Sequence, residues 1–242
     1  MVCNVSGAGK TAHILRGLCK HWGFYFVAVP DTNGFGINDM QLMLDSMPRA
    51  SGWADNVFTT SDLKAAIFTN ITIASRLLMK VLLARWFVFE TFIKVAKEEN
   101  NGRLPVNIKH DWLLFQILPI LMPSGRHPCV HFIYKCLTGV TLDHLEALLL
   151  PMTPQKVLQS DFEDQDTFFV VLDEAQVAGE QHMGAFADAN GQTPWPVLRQ
   201  IIHTWDSMNP PTNVQIIVSG TGFSLDLFKT VQASGIGKPI GN

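Results

Sequence analysis

Residues 4–11 read Asn4-Val5-Ser6-Gly7-Ala8-Gly9-Lys10-Thr11, the pattern of a phosphate-binding loop. Small residues let backbone N–H groups wrap phosphate oxygens, and a lysine reaches the β and γ positions. A threonine hydroxyl is available to Mg²⁺, and the helix that follows points its positive end at the anion. Ser6, Gly7, Ala8, Gly9, Lys10 and Thr11 are therefore the candidate nucleotide-binding residues, with Thr11 also a candidate Mg²⁺ ligand. The loop departs from the G-x-x-x-x-G-K-[ST] pattern at its first glycine, replaced by Asn4. Asparagine tolerates left-handed backbone angles better than most residues. Only Met1-Val2-Cys3 precedes the loop, so the strand that delivers it is expected to be cut short.

Working outward, apolar spacing predicts a helix over 10–21 that stops at Gly23, a natural C-terminal breaker. Phe24-Tyr25-Phe26-Val27-Ala28-Val29 reads as a buried strand. Residues 31–56 are rich in Gly, Asn, Asp and Ser, a loop with one short helix near 39–46. From 60 to 99 apolar residues recur at helical spacing: one long helix, or two joined by a kink. They cover most of its circumference, so it should be sandwiched between other elements. Further helices are expected over 110–121, 141–149, 197–205 and 224–231, and buried strands over 168–172 and 214–219. Apolar strands separated by helices imply a parallel α/β sheet. The division expected is 1–56 and 151–242 as the two parts of a P-loop NTPase core. A large helical insertion, 57–150, falls between the second and third strands.

Two further strand ends carry chemistry. Phe168-Phe169-Val170-Val171-Leu172 closes in Asp173-Glu174, at the edge where ligands sit in open α/β sheets. An aspartate there can hold Mg²⁺, and the adjacent Glu174 can polarise an attacking water as general base. Gln176 is a polar neighbour. The strand over 214–218 ends in Ser219, with Thr221 behind it, hydroxyls placed to sense a γ-phosphate; turn formation explains them equally well.

The VSGAGKT loop, the Trp22-Gly23-Phe24-Tyr25-Phe26 run, Leu83-Ala84-Arg85, the WLLFQILP segment at 112–119, VVLDEAQ and VSGTGFSL together resemble the P-loop NTPase region of fungal Crinkler-type proteins. The resemblance covers most of the chain, and implies an AAA+/STAND-like, ATP- or GTP-binding, Mg²⁺-dependent module. It would put Lys10 and Thr11 on phosphate and Mg²⁺, Asp173 on Mg²⁺, Glu174 as base, and Ser219 or Thr221 as sensor. That family places a header before this region and an effector domain after it, so a fragment or a short member is implied. The leading expectation is an ATP-binding, Mg²⁺-dependent P-loop NTPase module that acts as a conformational switch; hydrolysis is a second expectation, resting on Glu174. Its rival is a non-catalytic scaffold that has lost nucleotide turnover. A phosphotransferase is disfavoured, because a water-activating glutamate would waste the nucleotide.

Composition sets the bounds. The chain has 242 residues, 47% apolar and 16% charged, which marks a large buried core. Its net charge of −3 gives no electrostatic ground for a nucleic-acid partner, so a nucleoside triphosphate and a protein partner or second copy are the expected contacts. Cys3, Cys19, Cys129 and Cys136 are scattered, which suits reduced thiols, and no leader pattern occupies the N-terminus. An intracellular chain, cytoplasmic or nuclear, is expected. Arg76, Lys80, Arg85, Glu90 and Lys94 interrupt the apolar region at 71–95, so no membrane span is expected. His127, Cys129, His131 and Cys136 lack a common zinc spacing and are explained as alternating positions of a half-buried strand. Gly235-Ile236-Gly237-Lys238 imitates a phosphate loop, but Pro239 replaces its hydroxyl residue. Arg85, Arg126 and Arg199 are candidate trans-acting or sensor arginines among which the sequence does not choose.

Overall fold

A computed structural model describes residues 2–4, 9–30, 35–119, 127–188, 190–208 and 213–221. Expectations for Ser6, Gly7, Ala8, Arg126, the helix at 224–231 and the glycine-rich tail lie outside the described residues.

Four parallel strands form the sheet: β1 (Val2–Asn4), β2 (Gly23–Val27), β3 (Phe168–Asp173) and β6 (Val214–Thr221), in the order β1-β6-β3-β2. The short first strand does form, with Val2, Cys3 and Asn4 opposite Ser219, Gly220 and Thr221. A separate antiparallel pair, β4 (Phe186–Ala187) and β5 (Pro194–Trp195), has no counterpart in the sequence reading.

Alternation along the strands decides which helix covers which face. Phe24, Phe26, Phe168, Val170, Leu172 and Val218 join the larger core, built with α2 (Asp39–Ser46), α3 (Leu63–Glu99) and α9 (Val197–Met208). Tyr25, Val27 and Val171 point to the other face, against Ile14 and Leu18 of α1 (Lys10–Leu18) and Leu113 and Ile117 of α4 (Ile108–Ile117). Both faces are thus covered, which is why these strands read as continuous apolar runs. Gly23 is dictated by close approach: a Cβ there would stand 2.3 Å from the carbonyl oxygen of Phe169 on β3.

The outer edge of β2 needs partners, since a buried strand edge leaves N–H and C=O groups unpaired. Side chains of α4, one turn apart, supply them. Gln116 Oε1 accepts from the Tyr25 N–H at 2.9 Å, while Trp112 Nε1 donates to the Gly23 carbonyl at 2.8 Å. Gln116 is itself held by Arg85, whose Nη1 donates to the same Oε1 at 3.3 Å.

The stretch over 60–99 is one helix of 37 residues, α3, about 55 Å long at 1.5 Å per residue. Asp62 caps its first turn by accepting from the Ala65 N–H at 3.0 Å. The charges expected to interrupt a span are sparse in one 18-residue window of α3, which holds no more than two, so by length and composition alone the helix could cross a membrane. Half of that window is buried inside the protein, and α3 packs against α2, α5 (Pro128–Cys136), α6 (Leu142–Leu149), α7 (Pro154–Leu158) and α9.

The strand expected around Cys129 and His131 is instead helix α5. Pro128 stands at its first turn, where a missing N–H costs nothing, and His127 caps it by accepting from the Cys129 N–H at 3.2 Å. Cys129, Ile133 and Leu137 are buried at a spacing of four, a helical period that short-range alternation masked. Among the described residues no group of three or more His, Cys, Asp or Glu could hold a metal ion.

Candidate functional site

The sheet brings the N-terminal turn of α1 and the acidic strand end together. Gly9 precedes α1 with φ of 74°, a left-handed angle that glycine adopts without the usual Cβ penalty. Helix α1 opens there with the His13 N–H on the Gly9 carbonyl at 2.9 Å, and among the described residues no side chain caps it. Lys10 and Thr11 therefore occupy the first turn, where the helix end favours anions.

Across 162 residues of sequence, the Thr11 hydroxyl donates to Asp173 Oδ2 at 2.8 Å. Asp173 is only 2% exposed and accepts two more hydrogen bonds. The Tyr25 hydroxyl donates to the same Oδ2 at 3.0 Å, and the Glu174 N–H donates to Oδ1 at 3.1 Å. A buried carboxylate is costly unless its lone pairs are satisfied, and these three donors satisfy it.

Glu174 turns the chain out of the sheet with φ of 52°, a strained angle for a residue with a Cβ, costing on the order of 1–3 kcal/mol. The Ala175 N–H then bonds the Ser219 carbonyl at 2.9 Å, locking the turn to β6. Gln176, the first residue of α8 (Gln176–Glu180), donates from its amide to the Glu174 carboxylate. Its carbonyl accepts from the Thr221 N–H at 3.0 Å. Glu174, Gln176 and Thr221 thus form one hydrogen-bonded series joining the ends of β3 and β6.

Ser219 stands beside Asp173, one step beyond the Leu172–Val218 register pair. Its hydroxyl is fully buried and has no hydrogen-bond partner among the described residues. Thr221 enters through its backbone N–H.

Of the arginine candidates, Arg85 is fully buried and forked onto Asp39, through Nε at 2.8 Å and Nη2 at 3.0 Å. It also lies 4.6 Å from the Phe26 ring centroid. That engagement assigns it to the core and not to an approaching phosphate. Arg199 stacks at 4.0 Å over Trp195.

Tyr25 is the residue that sequence reasoning missed. Its signal was present: a phenol inside a strand of phenylalanine and valine must find a partner for its hydroxyl.

No protein-family model matches the chain, and no curated protein and no solved structure is found similar to it.

Proposed function

We propose that the chain is an ATP-binding, Mg²⁺-dependent P-loop NTPase module that works as a conformational switch. The observation that carries this reading is the Thr11–Asp173 hydrogen bond. It joins the hydroxyl after the P-loop lysine to the acid at the end of β3, the two groups that P-loop nucleotide chemistry needs side by side. Thr11 gives its only proton to Asp173, which leaves both hydroxyl lone pairs for a cation. One carboxylate and one hydroxyl make a sparse oxygen set, which suits Mg²⁺ shared with phosphates and water better than zinc or calcium.

Asp173 and Thr11 would hold Mg²⁺, which would supply positive charge to offset the negative charge of the phosphates. The chain's own residues do the rest. Lys10 and the first turn of α1 hold the phosphates. Glu174, next to Asp173, orients the attacking water and accepts its proton. The Gln176 link between Glu174 and the end of β6 gives nucleotide a route to move both strand ends, which supports the switch reading.

A non-catalytic scaffold is the second reading. It is favoured by the saturation of Asp173, which three donors satisfy without a cation.

Thermal unfolding with ATP and Mg²⁺ separates the two. At a ligand concentration about 100 times Kd, binding stabilises by about 2.7 kcal/mol. For a chain of this size that raises Tm by roughly 5–11 °C. The wild type should show the rise and Lys10→Ala should lose it; a folded wild type that ATP·Mg²⁺ does not stabilise sinks the NTPase reading.

A further inference from the structure

We infer that Tyr25 is a positioning residue for the cation-binding carboxylate, its buried hydroxyl fixing Asp173 in the orientation in which it meets Mg²⁺. The inference rests on the nucleotide-binding reading above and adds to it a residue outside the loop and the DEAQ segment.

Three observations carry it. First, Tyr25 is 1% exposed and Asp173 2%, and the hydroxyl donates to Oδ2 at 3.0 Å. Two donors on Oδ2 and one on Oδ1 stop the carboxylate from rotating about its Cβ–Cγ bond. Its orientation is therefore set before any cation arrives.

Second, Tyr25 is itself anchored. Its N–H is held by Gln116 at 2.9 Å, and Gln116 is held by Arg85, which is forked onto Asp39. The ring stands edge-on to Phe35, with centroids 6.2 Å apart. A post fixed at its backbone orients a carboxylate better than a surface side chain, whose rotamers are free.

Third, packing does not call for the hydroxyl. The ring lies in the smaller core with Ile14, Leu18, Leu113 and Ile117, where a phenylalanine would fill the same space without burying a polar group.

Partners that orient a metal ligand are worth 10–100-fold in metal affinity. In Tyr25→Phe the Mg²⁺ concentration that half-saturates the ATP-bound protein should therefore rise about 10–100-fold. ATP binding in EDTA, which depends on the loop and Lys10, should change little. A merely structural role would weaken both together or neither.

The titration is run by calorimetry on wild type and Tyr25→Phe. A wild type whose ATP binding ignores Mg²⁺ overturns the nucleotide reading itself. A Mg²⁺-dependent wild type with an unchanged Tyr25→Phe midpoint overturns the Tyr25 inference alone.

A second measurement does not depend on that variant folding. The chain has 2 tyrosines, so Tyr134→Phe protein grown on 3-fluorotyrosine carries a single ¹⁹F signal, from Tyr25. Adding Mg²⁺ to the ADP-bound protein should shift that signal, and Mn²⁺ should broaden it. A signal indifferent to both cations, in protein that binds ADP, overturns the inference.

Discussion

Replacing Arg85 with methionine removes the cation from a buried pair and leaves Asp39 charged and fully enclosed. Both side chains are 0% exposed, and the two contacts are 2.8 and 3.0 Å. Breaking such a pair from one side costs about 3–5 kcal/mol, because the remaining charge has neither water nor a partner. Loss of the Gln116 hydrogen bond at 3.3 Å adds about 1 kcal/mol. At 2–4 °C per kcal/mol, the pair alone corresponds to a Tm fall of roughly 6–20 °C. Urea unfolding followed by tryptophan fluorescence suits the measurement, since Trp86, Trp112 and Trp205 are all buried. The double variant Asp39→Leu/Arg85→Met is the control. Exchanging the whole pair for apolar groups removes the orphaned charge, so it should recover to within about 2 kcal/mol of wild type. A single variant that loses less than about 1 kcal/mol, or a double variant as unstable as the two singles summed, would refute the reasoning.

Glu174→Gln should retain ATP binding while turnover falls about 10²–10⁴-fold, the usual share of a general base; unchanged steady-state phosphate release would remove Glu174 from that role. His127 gives a pH signature. Burial, then the Arg85 charge, push its pKa down to about 3, against a weaker upward pull from the Phe115 carbonyl. The unfolded chain binds a proton near pH 6.5 that the folded chain refuses, so this contribution is complete above 6.5 and is lost as pH falls toward 3. The slope is about 1.4 kcal/mol per pH unit between pH 6 and 4, and His127→Asn, which keeps a helix cap without titrating, should lack it. Burial also pushes the Cys129 thiol up to about 12, so iodoacetamide at pH 8 should label exposed Cys19 and Cys136 in the native protein and spare Cys129.

Elements governed by local pattern were legible in the sequence. The run at 168–172 is a strand because it is unbroken, apolar and β-rich; the stretch over 60–99 is a helix because its apolar residues recur at helical spacing. The meeting of Lys10-Thr11 with Asp173-Glu174 was also legible, because parallel strands put their C-terminal ends on one edge. What stayed hidden depends on contacts that no period encodes. Gln116 completes the edge of β2 from 91 residues away, and Arg85 reaches Asp39 across 46. Spacing marks neither role, and it leaves Arg85 as one of three candidate arginines. At 128–136 the short-range alternation of His127, Cys129 and His131 suggests a strand, while Pro128 and the i, i+4 burial of Cys129 and Ile133 define a helix turn.

Calorimetric titration of ATP into the folded wild-type chain, once with Mg²⁺ and once with EDTA, and into Thr11→Val beside it, decides whether the end of β3 and the first turn of α1 form a nucleotide site. The account predicts saturable binding that Mg²⁺ tightens, and a Thr11→Val protein that binds without the Mg²⁺ increment. Wild-type protein that takes up no ATP, or binds it equally well in EDTA, would contradict the account.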